Sequence, residues 1–155
     1  MNVKYINPFI EAFGHVMGQL GFKEIKNGTL TAKGKHLVCS GIVLVVGIMG
    51  DFRGNVVYVI DMEDAKKIAS TMMMGKPVDK LDEISRSSLA ELSNMLSANA
   101  ATFFSKMGVL IDISTPTLLQ GEDFDVMMCS EKVLCLQLLA DGIPVDVNIS
   151  FDKAR

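Results

Sequence analysis

The sequence predicts an α+β domain in which an antiparallel sheet carries long helices packed on one face. Segments with helical periodicity alternate with groups of Val- and Ile-rich strands, and short Gly-containing links join the strands within each group. A chain of 155 residues can form one domain with a core but is too short for two ordinary ones. Residues 1–155 are therefore expected to form a single domain.

The first half of the chain contains a helix, three strands and a second helix. Apolar residues at helical spacing over residues 3–20, followed by Gly21, predict an amphipathic helix. FKEI, HLVCSGIVLVVGIMG and GNVVYVI are then predicted to be strands, with a hairpin turn at GDFRGN. MEDAKKIASTMMMG returns to helical periodicity, with acidic residues in its first turn and Gly75 then Pro77 at its end. We interpret its methionines as core packing.

The second half is predicted to begin with the longest helix of the protein. It runs from about residue 80 to Met107 without Gly or Pro, and either Asp79 or Asp82 can form its N-cap. Asn99 falls on its apolar side, so we expect the Asn99 amide to bond to neighbouring backbone. The apolar residues occupy an arc of about 140° that is expected to face the core: Leu81, Ile84, Leu89, Leu92, Met95, Leu96, Phe103 and Met107.

Three or four strands are predicted after the long helix. The segments are VLIDISTPTLLQG, FDVMMCS, KVLCLQLLA and PVDVNIS, with turns at GED, SEK and DGI. Each half of the chain thus has a helix followed by about three strands. This similarity favours an internal pseudo-repeat.

Composition excludes several classes of function. With 15 Lys and Arg against 18 Asp and Glu, the net charge of −3 provides no long-range attraction for nucleic acid or an anionic membrane. The longest apolar run, GIVLVVGIMG, is about half the length of a membrane span, and the N-terminus lacks the pattern of a secretory signal. We expect a cytoplasmic protein that binds neither nucleic acid nor membrane.

No cofactor of its own is expected for this chain. Cys39, Cys129 and Cys135 lie in apolar runs without Cys-x-x-Cys spacing, which favours reduced core residues over a redox or nucleophilic role. His15 and His36 do not fall in a metal-ligand pattern. The Gly-rich GIMGDFRGN lies between two strands, whereas a phosphate cradle requires a helix N-terminus after its loop.

A polar stripe on the long helix is the candidate site. Ser87, Glu91, Asn94 and Ala98 lie off the apolar arc at steps of four, three and four, and the residues around them are short. From composition alone, a solvated helix face and a binding site both remain open. Chemically, a carboxylate can bond to a Lys on a partner, and an amide can hold a water molecule. Neither side chain is a good nucleophile or base at pH 7, so the pair suits positioning.

This stripe resembles the signature of a known family. Ser87-x-x-x-Glu91-x-x-Asn94, within LDEISRSSLAELSNMLSANAATF, is similar to the motif of the CheC/CheX/FliY chemotaxis phosphatases, and EDAKKIASTMMMG, DISTPTLLQGEDF and VGIMGDFRGNVVYVI also resemble family segments. The resemblance implies a pseudo-two-fold fold and a phosphatase of the aspartyl-phosphate on a CheY-like response regulator. It also implies that Glu91 pairs with a regulator Lys, that Asn94 orients the attacking water, and that Mg2+ belongs to the regulator.

Within the family, this chain most resembles CheX. CheC-like members carry the motif on two pseudo-symmetric helices, whereas here Glu11 in the first helix is followed three residues on by Gly14, which lacks the amide. Resemblance to CheX implies a homodimer joined through sheet edges. Ser93 and Ala98 replace glycines of many members and are expected to add small bulk near the site. The alternative is a non-catalytic adaptor that binds a receiver domain or a flagellar motor component.

Overall fold

A computed structural model describes residues 3–154, which form one antiparallel sheet with helices on one of its faces. This arrangement confirms the predicted fold class. After a 3-10 turn at Val3–Ile6, the elements in chain order are α1 Asn7–Gln19, β1 Ile25–Lys33, β2 His36–Gly50, β3 Phe52–Ile60, α2 Met62–Met72, α3 Glu83–Lys106, β4 Ile111–Ile113, β5 Thr117–Met127, β6 Val133–Ala140 and β7 Ile143–Lys153.

The order of the strands relates the two halves of the chain. Across the sheet the order is β1-β6-β7-β3-β2, and β5 and β4 pair with successive stretches of β2. Exchanging β1, β2 and β3 with β5, β6 and β7 reproduces the same order in reverse. The sheet therefore has a pseudo-two-fold relationship that passes between the central strands β3 and β7, as the internal repeat predicts.

The ends of α1 and α3 show the same relationship in detail. Gly21 and Gly108 follow the two helices in left-handed conformation, with φ of 104° and 78°. The next residues, Phe22 and Val109, each donate the backbone N–H to the carbonyl five residues earlier at 3.0 Å. Both helices thus end in the same glycine-dependent motif, and equivalent positions in α1 and α3 lie 87 residues apart.

The sheet curls over on the face without helices. Only residues 34–35 join β1 to β2, although β6, β7 and β3 lie between them in the sheet. Two linking residues span at most about 10 Å, whereas four strand spacings in a flat sheet amount to about 19 Å. The start of β2 therefore folds back across this face and encloses a second apolar cluster: Leu37, Cys39, Val43, Val57, Val126, Met128 and Val133.

The larger core lies between the sheet and the helices, and it corrects two predictions for α3. Ile84 and Met107 are 61% and 42% exposed. Ser85 occupies the core-facing position of the first turn, so Ile84 points to solvent, and Met107 is the C-cap, where the helical periodicity has ended. Phe104, which was not on the predicted arc, is fully buried.

Four further predictions were wrong. The first strand spans Ile25–Lys33 and not FKEI. No turn forms at GED, because β5 continues through it with an extra residue: Cys39 pairs with Phe124 and Gly41 with Gly121, which produces a β-bulge. Cys129 is exposed, because it lies in the link between β5 and β6. Met74 is 98% exposed, beyond the end of α2.

Candidate functional site

The helix α3 is held in place by its N-cap and by a contact of its buried face with the sheet. Asp82 is the N-cap, and its carboxylate accepts the backbone N–H of Ser85 at 2.9 Å. That bond and the one from the Ser85 hydroxyl hold the pKa of Asp82 below its usual value. Near the middle of the helix, the buried Ser97 hydroxyl lies 2.9 Å from the Tyr58 hydroxyl of β3. The exposed face of α3 is thus presented from a rigid support.

Ser87, Glu91 and Asn94 lie together on this exposed face, as the motif predicts. Ser87 and Glu91 are exposed and Asn94 is half-buried. All three line one groove of about 460 Å³, together with Ala90 of the same helix and residues 113–116. The short Ala90 side chain leaves the groove open between α3 and the segment that joins β4 to β5.

The motif residues differ from the other polar residues of α3 in their hydrogen bonding. Within residues 3–154, the side chains of Ser87 and Asn94 make no hydrogen bond and Glu91 forms no ion pair. The other seven hydroxyl and amide side chains of α3 all bond within the protein: Ser85, Ser88, Ser93, Ser97, Asn99, Thr102 and Ser105. The polar groups of the motif therefore remain available to a partner.

The opposite wall of the groove was missed by sequence reasoning. Ser114 holds this wall against β2: its hydroxyl accepts the Gly47 N–H at 2.7 Å, and its own N–H donates to the Gly47 carbonyl at 2.9 Å. Thr115 and Pro116 then line the groove beside Asn94. The Ser-Thr-Pro sequence inside the predicted strand VLIDISTPTLLQG was the available signal, because proline interrupts a sheet ladder.

Three neighbours of the motif occupy different environments. Ser93 is fully buried, and its hydroxyl donates to the Ala90 carbonyl at 2.7 Å. The expectation that Ser93 adds bulk near the site is therefore wrong. Ala98 is exposed and adds only a methyl group to the surface. The Asn99 amide donates to the Met95 carbonyl at 2.8 Å, which confirms its predicted bond to neighbouring backbone.

The pseudo-two-fold relationship changes which residues of the first helix correspond to the motif. With the ends of α1 and α3 aligned, Asn94 corresponds to Asn7 and Glu91 to Lys4. The Glu-x-x-Asn spacing made Gly14 the equivalent of Asn94, but Gly14 lies seven residues beyond Asn7 along the helix. The first helix therefore carries an amide, Asn7, at the position equivalent to Asn94, and the 3-10 turn before it has a cation, Lys4, at the position equivalent to Glu91.

The remaining observations concern the buried thiols, possible metal ligands and the helices of the described part of the chain. Burial raises the pKa of the Cys39 and Cys135 thiols, which disfavours the nucleophilic thiolate. Residues 3–154 contain no group of three or more His, Cys, Asp or Glu side chains that could hold a metal ion. Among the helices of this same stretch, none is long and apolar enough to cross a membrane.

Comparison with known proteins places the chain among chemotaxis phosphatases. Residues 42–138, more than half of the chain and including the whole motif, match the family model described as chemotaxis phosphatase CheX. The chain is also 29% identical over 126 residues to the CheY-P phosphatase CheX of Thermotoga maritima, which covers 81% of each protein.

Solved structures share the fold over nearly the whole chain. A CheC-like superfamily protein from Shewanella sp. PV-4 matches with a TM-score of 0.86 and 23% identity, covering 98% of this chain and 99% of that one. A chain of the CheX-CheY-BeF3-Mg2+ complex from Borrelia burgdorferi matches with a TM-score of 0.80 and 25% identity, covering 98% of this chain and 100% of that one. The match to the family model, with the motif on the exposed face of α3, shows that the chain belongs to the CheX chemotaxis phosphatase family.

Proposed function

We propose that this protein accelerates hydrolysis of the aspartyl-phosphate on a CheY-like receiver domain. Asn94 enters the active site of the phosphorylated receiver and orients the attacking water, for which its amide offers both a donor and an acceptor. Glu91 forms a charge-assisted hydrogen bond with a Lys of the receiver and so fixes the docking geometry. Ser87 occupies the first and more variable position of the motif.

The unbonded state of Glu91 and Asn94 is the observation that most supports this proposal. A helix that satisfies its other hydroxyl and amide side chains internally leaves these two residues open in the same groove. An ordinary solvated face looks different: in α2, Lys66 pairs with Glu63 at 3.0 Å. Orienting a water molecule is a proximity effect and lowers the barrier by a few kcal/mol.

Mg2+ would be supplied by the receiver and not by this chain. The related complex from Borrelia burgdorferi contains Mg2+ and BeF3 together with CheX and CheY. A receiver that binds Mg2+ beside its phosphorylated aspartate already neutralises much of the charge that develops on the phosphoryl group. The phosphatase then needs to contribute only a positioned amide and a docking contact.

We also propose that the protein is located in the cytoplasm.

A homodimer joined through sheet edges is a further part of the proposal. Among the strands of residues 3–154, the edge strand β1 pairs with β6 alone, and eight of its nine residues are exposed. Such an edge presents unpaired backbone groups that a second chain can cover. Sedimentation equilibrium would test the dimer, and a purely monomeric protein at micromolar concentration would contradict it.

Release of phosphate from a phosphorylated CheY receiver, with and without this protein, tests the function. We expect the parent to accelerate release. We expect Asn94→Ala to lose most of this acceleration and to keep its fold, because the Asn94 side chain makes no hydrogen bond within residues 3–154. Thr102→Ala, on the same helix but outside the groove, is the matched control. Equal rates for Asn94→Ala and the parent would refute the assigned mechanism.

The second candidate is a non-catalytic adaptor that binds a receiver domain or a flagellar motor component through the same helix. The unbonded stripe on α3 suits binding as well as catalysis. This candidate predicts binding that depends on receiver phosphorylation without faster phosphate release. Measuring both quantities on the same receiver separates the two candidates.

A further inference from the structure

A second groove continues the motif groove toward the N-terminal end of α3. It has a volume of about 710 Å³ and is lined by Glu83, Arg86, Ser87, Ala90, Leu118, Gln120 and Gly121. Ser87 and Ala90 line both grooves. Because the two share these residues, they are adjacent along α3, and we call them together the α3–β5 groove, which lies between α3 and the segment from residue 113 to residue 121.

The N-terminal part of this groove contains charges without internal partners. Arg86 and Glu83 are exposed, and neither forms an ion pair within residues 3–154, although they lie three residues apart on the same helix. Two apolar residues, Ala90 and the half-buried Leu118, line the same part of the groove. An unpaired guanidinium in a partly apolar groove is suited to a protein surface that offers a carboxylate.

The position of Arg86 relative to Asn94 limits what it can meet. The two residues are eight positions apart, which corresponds to about 12 Å along the helix. Arg86 is also rotated by about 80° around the helix axis from Asn94, so if Asn94 reaches the phosphoryl group, the long Arg86 side chain meets the receiver from the flank of the groove. Mg2+ sites in proteins are built from carboxylates, so an acidic side chain of the receiver near its phosphorylation site would complement the charge of Arg86.

We propose that Arg86 is a specificity-determining residue that binds an acidic side chain on the receiver beside its phosphorylation site, and that the α3–β5 groove is the docking surface for that part of the receiver. The inference depends on the proposed function, because it takes the receiver as the occupant. Arg86 contributes to recognition and not to chemistry. Its loss therefore weakens binding of the receiver and leaves the rate of the bound complex unchanged.

Charge reversal at Arg86 tests the proposal. With CheY phosphorylated by a small-molecule phosphodonor, Arg86→Glu is expected to raise KM at least about tenfold while kcat stays within about twofold. Arg86→Lys, which keeps the charge but not the planar fork, should fall between Arg86→Glu and the parent. The matched control is Lys132→Glu, which makes the same charge change in the exposed link between β5 and β6.

Filling the groove gives an independent test that does not depend on charge. Ala90→Gln projects a longer side chain into both parts of the groove from a helix position where Gln is well tolerated, and its KM should also rise. Thr102→Gln, on the same helix outside the groove, should match the parent. Circular dichroism and urea unfolding of each variant show whether the fold is kept.

The possible outcomes separate this inference from the proposed function. If the parent does not accelerate phosphate release, the proposed function fails. If it does, and Arg86→Glu has the KM of Lys132→Glu, the role of Arg86 is refuted while the function stands. Affinity for CheY loaded with BeF3 and Mg2+ provides a second readout, in which Arg86→Glu should raise Kd at least about tenfold at low salt and less at high salt.

Discussion

The hydroxyl groups of Tyr58 and Ser97 form a buried hydrogen bond of 2.9 Å that joins the central strand β3 to the middle of α3. Tyr58 is 2% exposed and Ser97 also 2%. Ser97 lies three residues beyond Asn94, about 60° around the helix axis from it and on the side that faces the sheet. This polar contact in a largely apolar layer therefore favours the rotation of α3 that presents the motif.

Alkaline pH should weaken the fold through Tyr58. Burial raises the pKa of Tyr58 well above its ordinary value of about 10. Above pH 10 the unfolded chain releases this proton and the folded chain keeps it, so stability falls as pH rises, by up to about 1.4 kcal/mol per pH unit. Urea unfolding of the parent between pH 8 and pH 11 measures this loss.

Tyr58→Phe is the matching variant. At pH 7 it should destabilise the fold by about 1–2 kcal/mol, because the buried Ser97 hydroxyl loses its partner. It should also show a shallower decline above pH 10 than the parent, because the titrating group is gone. Parallel declines in the two proteins would mean that other groups cause the alkaline loss.

Glu91 and Asn94 should affect different kinetic constants. Glu91→Gln removes the charge that docks the receiver Lys, so we expect KM to rise about tenfold with kcat changed less than about twofold. Asn94→Ala should lower kcat at least about tenfold with little change in KM, since it removes only the orientation of water. Steady-state phosphate release over a range of receiver concentrations distinguishes them, and a fall in kcat alone for Glu91→Gln would contradict its docking role.

The long helix and its polar stripe could be predicted because their signals are local. The capping Asp82, the absence of Gly and Pro, and the spacing of Ser87, Glu91 and Asn94 depend only on neighbouring residues. Glu91 and Asn94 remain proposed in their roles, but their placement on one exposed face follows from helical geometry alone.

Features that depend on distant contacts could not be predicted in the same way. The curl of the sheet follows from strand order, and nothing within β1 or β2 shows that β6, β7 and β3 lie between them. Ser93 looked like added bulk at the site, but the sequence alone did not show that the core-facing side of α3 includes serines. The wall at Ser114 becomes visible only when β4 and β5 are both paired with β2.

Ser114→Ala should affect both stability and activity. The Gly47 N–H would lose its acceptor at 2.7 Å, at a cost of about 1 kcal/mol. The wall beside Asn94 would also become looser, so phosphate release should slow by about threefold. Ser150→Ala is the control, because the Ser150 hydroxyl accepts the Ser130 N–H at 2.9 Å and neither residue lines the groove. That variant should lose similar stability and keep full activity, and equal activity in both variants would argue against a role for the wall.

Gly14→Asn should not create a second site in α1. It restores the Glu-x-x-Asn spacing with Glu11, and a Cβ at Gly14 meets nothing within 4 Å, so the fold should be kept or slightly stabilised. In the pseudo-two-fold alignment, however, Lys4 is equivalent to Glu91 and Asn7 is equivalent to Asn94. Gly14 lies about 10 Å beyond Asn7 along the helix. In the Asn94→Ala background we therefore expect Gly14→Asn to leave phosphate release at the level of Asn94→Ala alone. Recovery of activity in that double variant would show that motif spacing on α1 is sufficient, and that alignment of the helix ends does not identify equivalent sites.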